Sequence, residues 1–132
     1  QAGQAGLQAA KAMADAGKWD AAKGVLAWVA GNAADEGYMA IGKLRLASVL
    51  IEEKAYGEAL AQLSGKFPPE FTAAAADRKG DVLALQGKPQ EAVAEYRRAY
   101  QAFDERAEYR TLVEAKLNAL GAQVAAPSEN AK

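Results

Sequence analysis

The sequence has no cysteine and no histidine in its 132 residues. The first absence removes disulfides and thiol nucleophiles. The second removes imidazole bases, and the two together remove nearly all zinc chemistry. A cysteine-free chain is compatible with any redox compartment, so this absence does not locate the protein. A net charge of −1 gives no general attraction for phosphate backbones or anionic lipid, which disfavours nucleic acid as a partner. Long apolar runs are missing as well: the densest, Val25 to Ala30, is far short of the roughly 20 residues that cross a bilayer. Alternation of period two is absent, so nothing favours strands. The chain opens at Gln1, without an initiator Met or a signal-peptide pattern. It is therefore expected to be a processed or truncated product lacking a targeting or anchoring segment.

What is present is helical periodicity, interrupted at regular intervals. Gly87-Lys-Pro-Gln-Glu-Ala-Val93 is a turn leading into a helix, and related phrases begin at Gly17 and Lys54, spaced by 37 and 33 residues. That is the period of a helical hairpin used as a repeating unit. A first helix from about Gly3 carries Leu7, Ala10, Met13 and Ala14 on one side, and Gly17 stops it. The second, opened near Asp20, buries Ala22, Val25, Leu26 and Val29. The third runs from Asp35-Glu36 to about Glu53 and is apolar nearly all round, which predicts a helix packed on more than one side. A short helix with Ala59, Leu60 and Leu63 inward follows. Pro68-Pro69, half of the four prolines present, mark the clearest break and open a helix over 70–86. Another spans Glu91 to Phe103. Asp104-Glu105 restart a last helix to about Leu120, with Tyr109, Leu112, Val113, Leu117 and Leu120 on its inward side. Residues 122–132 have nothing to bury and are expected to be flexible.

The spacing also says how the hairpins close. Helices joined by a two- or three-residue turn lie antiparallel and approach closely where small residues meet. Ala10, Ala47 and Gly80 in the first helices match Ala22, Ala59 and Ala92 in the second at a constant offset of 12 residues. Leu26, Leu63 and Tyr96 follow four residues after each second-helix Ala. This pattern resembles the tetratricopeptide repeat, best in the unit built on Gly80, Leu83, Gly87, Ala92, Tyr96 and Ala99. Departures are Ala76, Lys79 and Asp104 where the motif prefers Trp, Leu and Pro, and Lys54 in place of a turn Gly. The expected fold is all-α: a right-handed superhelix over 1–121, with hairpins at 3–31, 35–65 and 69–103 and a capping helix at 105–120.

By analogy with such domains the first helices line a concave groove, and its expected positions are Leu7, Lys11, Leu44, Arg45, Ser48, Asp77, Arg78 and Asp81. Their alternative is a solvated face with surface ion pairs of little consequence. Asp77 and Asp81 share a helix face, which calls for a cation between them; Arg78 or Arg45 is the expected one. A catalytic use of that pair is disfavoured, because no nucleophile or base accompanies it. No cofactor or metal is expected. Glu52-Glu53, Glu91, Glu95 and Arg97-Arg98 read as polar faces. Trp19 at a turn and Trp28 near the inward stripe are expected to pack in the core, with an exposed interface role as the alternative.

From about Leu44 to Gly121 the chain is also similar to the C-terminal domain of the YfgM-like proteins, a tetratricopeptide-like family of Gram-negative bacteria. The likeness rests on Leu44-Arg45-Leu46-Ala47, Ala59-Leu60 with Leu63, Phe71, Asp77, Gly80-Asp81 with Leu83, and Gly87 before Ala92. Residues 1 to 43 match more loosely. The resemblance implies a periplasmic repeat domain carried on one inner-membrane helix. It implies an ancillary role at the SecYEG translocon, association with a PpiD-like chaperone, and help in passing exported proteins to periplasmic chaperones. A generic tetratricopeptide adaptor of another envelope or cytoplasmic complex is the alternative, and a small enzyme using Asp77 and Asp81 is a third.

Overall fold

The structure, a computed structural model, describes residues 1–124. Most of the tail expected to be flexible lies outside them. Among the described residues there are seven α-helices and no strand: α1 (Ala2–Asp15), α2 (Trp19–Asn32), α3 (Glu36–Glu52), α4 (Tyr56–Leu63), α5 (Thr72–Leu85), α6 (Pro89–Ala102) and α7 (Glu108–Ala119). The all-α expectation holds. None of these helices is long and apolar enough to cross a membrane. The chain divides into two compact units, one over Gln1–Phe71 and one beginning at Thr72.

In the first unit α1 packs on α2, α2 on α3 and α3 on α4, with a lighter contact between α1 and α3. The apolar circumference of α3 explains its place there, because it has neighbours on three sides. It buries Leu44, Leu46, Ala47, Val49 and Leu50. In the second unit α5 packs on α6 and α6 on α7.

One backbone device recurs at each tight turn. Gly17 and Gly87 are left-handed, at φ 78° and 76°, and Lys54 takes the same conformation at φ 62°. Around each, two amides cap the preceding helix. Lys18 N–H donates to Met13 O at 2.8 Å, Ala55 N–H to Leu50 O at 2.8 Å, and Lys88 N–H to Leu83 O at 2.9 Å. These are the six-to-one bonds of a Schellman motif, with the five-to-two bonds made by Gly17, Lys54 and Gly87. The next residue then opens the following helix at nearly constant ψ: 66° at Lys18, 64° at Ala55 and 68° at Lys88. The weak sequence repeat is thus a strong backbone repeat.

The small residues stand at the helix crossings. Ala22, Ala59 and Ala92 are sealed from solvent, as are Ala10 and Ala47 opposite them. At Gly80 a Cβ would lie 2.5 Å from the Tyr96 ring, so Tyr96 needs a glycine beneath it. Two elements differ from expectation at their starts. Pro69–Phe71 form a single 3-10 turn before α5 begins. Residues 104–107 form a turn instead of the start of α7: the Asp104 carboxylate accepts from Arg106 N–H at 2.8 Å, and its carbonyl from Ala107 N–H at 2.9 Å.

The facing of α7 is a larger correction. Tyr109 and Leu112, expected inward, are 62% and 49% exposed. Val113 and Leu117 are fully buried, and two cations share their side of the helix. Arg110 Nε donates to the Tyr100 carbonyl at 3.0 Å while its guanidinium lies 4.1 Å from the centre of the Tyr100 ring. Lys116 reaches α5. These charge-assisted contacts, together with Val113 and Leu117, define the packed side of α7. Tyr109 stacks on Phe103, ring centres 5.9 Å apart.

Candidate functional site

The expected groove residues fall in two places. In the second unit, Asp77 and Asp81 follow one another by a turn on α5. The cation that bridges them is Lys116, from α7, and the expected Arg78 adds its charge beside Asp77. The Lys116 ammonium stands 3.0 Å from Asp77 Oδ1 and 3.0 Å from Asp81 Oδ1. The Tyr96 hydroxyl donates to Asp81 Oδ1 at 2.6 Å. Arg78 instead turns back along its own helix, 3.4 Å from the Ala74 carbonyl.

The electrostatics fit a structural lock. Burial pushes the Asp77 carboxyl above its usual range, Lys116 and more weakly Arg78 pull it back only in part, and Asp81 adds a smaller push upward. Burial works against the Lys116 ammonium, but the hydrogen bond to Asp77 and the two carboxylates outweigh it and hold its pKa above the ordinary lysine value. Burial, with the bond to Asp81, keeps the Tyr96 phenol protonated. Both carboxylates are therefore engaged by neighbours. Among the described residues no group of three acidic or metal-binding side chains could hold a metal ion.

In the first unit the helices leave an open cleft of about 370 Å³, and Leu7, Lys11, Trp19, Leu26, Arg45 and Val49 are among its walls. Three of the expected groove residues, Leu7, Lys11 and Arg45, meet here. Leu44 does not: it is 6% exposed and belongs to the core. Ser48 is half-buried, and its hydroxyl donates to the Leu44 carbonyl at 3.2 Å. A second cleft of about 590 Å³ shares Trp19 and Val49 and is bounded by Glu52 and Glu53.

Trp19 is what the list of groove positions missed. Core packing was expected for both tryptophans, yet Trp19 is 53% and Trp28 48% exposed. Trp19 opens α2 just after the Gly17 turn and shares its cleft with Leu7, Ala10, Lys11 and Ala14 of α1. Its recurrence at the turn, aligned with Tyr56 and Pro89, was the available signal.

A family model for a tetratricopeptide repeat-like domain matches residues 1–122. The chain belongs to that family. Among curated proteins, the repeat domain is 38% identical over 119 residues to an ancillary SecYEG translocon subunit of Neisseria gonorrhoeae (strain ATCC 700825 / FA 1090). The match covers 90% of this chain and 57% of that protein, so the chain spans little more than half of its relative's length. No solved structure matches. The resemblance to the YfgM-like proteins read from the residues is borne out by these two findings. The backbone repeat at Gly17, Lys54 and Gly87 is the physical form of the repeat-like family assignment.

Proposed function

We propose that this repeat-like domain is a non-enzymatic scaffold that works beside the Sec translocon, on the periplasmic side of the inner membrane, and links export to periplasmic chaperones. The observation that carries the reading is the 38% identity to an ancillary SecYEG translocon subunit. The site chemistry agrees with it. The carboxylate pair Asp77 and Asp81 is spent on Lys116 and Tyr96, whereas an apolar cleft with a half-exposed Trp19 suits protein contact. Of the expected groove positions, we assign Lys11 and Arg45 to the partner; Asp77 and Asp81 serve the fold.

Site-specific photo-crosslinking of the full-length protein in its own membranes, with the probe at Trp19 or Arg45, tests this. Adducts with translocon subunits or with a PpiD-like chaperone are expected. Adducts confined to an unrelated envelope or cytoplasmic complex would make the domain a generic adaptor, and the translocon assignment would fall.

A further inference from the structure

Arg45, Val49 and Glu52 lie at i, i+4 and i+7 on α3, so they form one stripe that runs from positive through apolar to negative. Trp19 and Val49 are common to the two adjoining clefts of the first unit, which gives them a shared apolar floor. At one end stand Lys11 and Arg45, both exposed. Neither side chain has a hydrogen-bond or ion-pair partner among the described residues. Lys23 differs: it pairs with Glu53 at 2.8 Å. Two cations with no ion-pair partner among the described residues thus stand beside a half-exposed indole at the rim of an apolar surface. The missing counter-charge defines what would fit.

We infer that the α1–α2–α3 cleft takes a peptide segment of a partner protein in which an acidic side chain is followed closely by a bulky apolar one. The carboxylate meets Lys11 and Arg45, and the apolar side chain lies against Trp19 and Val49. A bidentate bond from the Arg45 guanidinium fixes the acid's place, and burial beside the indole supplies most of the affinity. A basic residue further along the segment is accommodated at Glu52. The same surface disfavours segments with basic residues at both ends, because Lys11 and Arg45 repel one of them. This assignment rests on the reading of the domain as a protein scaffold and gives that scaffold a chemical preference.

The test uses the intact chain with Trp28→Phe, so that all indole emission comes from Trp19, and two short synthetic peptides. One carries Asp at one end, Phe and Leu in the middle and Lys at the other; the second has Lys in place of the Asp residues. The first peptide should shift Trp19 emission saturably, and the second should bind about tenfold more weakly. Lys11→Glu with Arg45→Glu should invert that preference, an outcome that loss of folding could not imitate. Equal binding of both peptides to the unaltered cleft, or a preference unmoved by the double charge reversal, would overturn the inference. No emission change with either peptide would do so too. Crosslinking to the translocon that persists in the double variant would leave the scaffold reading standing and remove the cleft from it.

Discussion

Single residues carry more of this structure than their size suggests. Gly80 has the Tyr96 ring where its Cβ would be, at 2.5 Å. Gly80→Ala is therefore expected to push Tyr96 off Asp81 and to cost about 1–3 kcal/mol, seen as a lower urea midpoint with an unchanged slope. Ala92→Leu should cost a similar ~1–3 kcal/mol, because Ala92 has no exposed surface. A neutral result would place Ala92 away from a helix crossing. Lys54 offers the opposite experiment. It holds a left-handed conformation that its counterparts Gly17 and Gly87 adopt without a Cβ penalty. Lys54→Gly should raise stability by about 1 kcal/mol in thermal or urea unfolding. A loss would mean that the Lys54 side chain does something the turn geometry does not require. These residues were legible in the sequence. Small residues at a fixed offset and glycine at a fixed turn are local signals; the repeat shows the first three times and the second twice.

At the scale of helices, legibility depended on whether a partner was near in sequence. The hairpin helices were placed within a few residues, since each buries its stripe against the helix next to it. α7 was misread because apolar periodicity alone cannot say that Arg110 and Lys116 belong to the buried side. The cation for Asp77 comes from 39 residues away, beyond any helix-face argument. That lock makes a pH-dependent prediction. The Lys116 pKa is raised above 10.5, so its stabilisation is present at neutral pH and lost as pH rises through that higher value. The raised Asp77 pKa works the other way at the acid end: the folded state favours the protonated carboxyl, and ionisation as pH rises costs stability. Lys116→Met should thus destabilise by about 2 kcal/mol at pH 7, by stranding two carboxylates near each other. The deficit should shrink as pH falls through the carboxylate range, where Asp77 can take a proton. Melting curves from about pH 3 to about pH 8, which bracket the carboxylate range, decide it. A deficit that does not change with pH would show that Lys116 acts by packing alone.

For the molecule as a whole, the family assignment and the site assignment came from different kinds of signal. The repeat-like family was readable because a divergent repeat still keeps its turn register, and both Leu44-Arg45-Leu46-Ala47 and Gly80-Asp81 lie in the part that matches. The cleft was only half readable. Lys11 and Arg45 came from analogy with tetratricopeptide domains, whereas the exposure of Trp19 depends on packing between helices, which composition does not encode. Crosslinking from Trp19 and from Trp28 in parallel should separate a chosen surface from general apolar exposure. Adducts are expected from Trp19, and equal yields from both would argue for indiscriminate contact.

The pairing of each helix with its neighbour in the chain has a kinetic consequence. Within each unit most helix packing is between neighbours in the chain, so little chain entropy is lost before the first favourable contact forms. Folding is expected in the microsecond-to-millisecond range of helical proteins, and any hairpin can start it. For a chain delivered in the order it is made, α1 and α2 can close on each other before α7 exists. In the complete chain Lys116 meets Asp77 across 39 residues, a longer loop than any hairpin closes, so this contact is expected late in refolding as well. Its substitution should therefore speed unfolding far more than it slows refolding, which stopped-flow measurements would resolve as a change confined to one limb of the chevron.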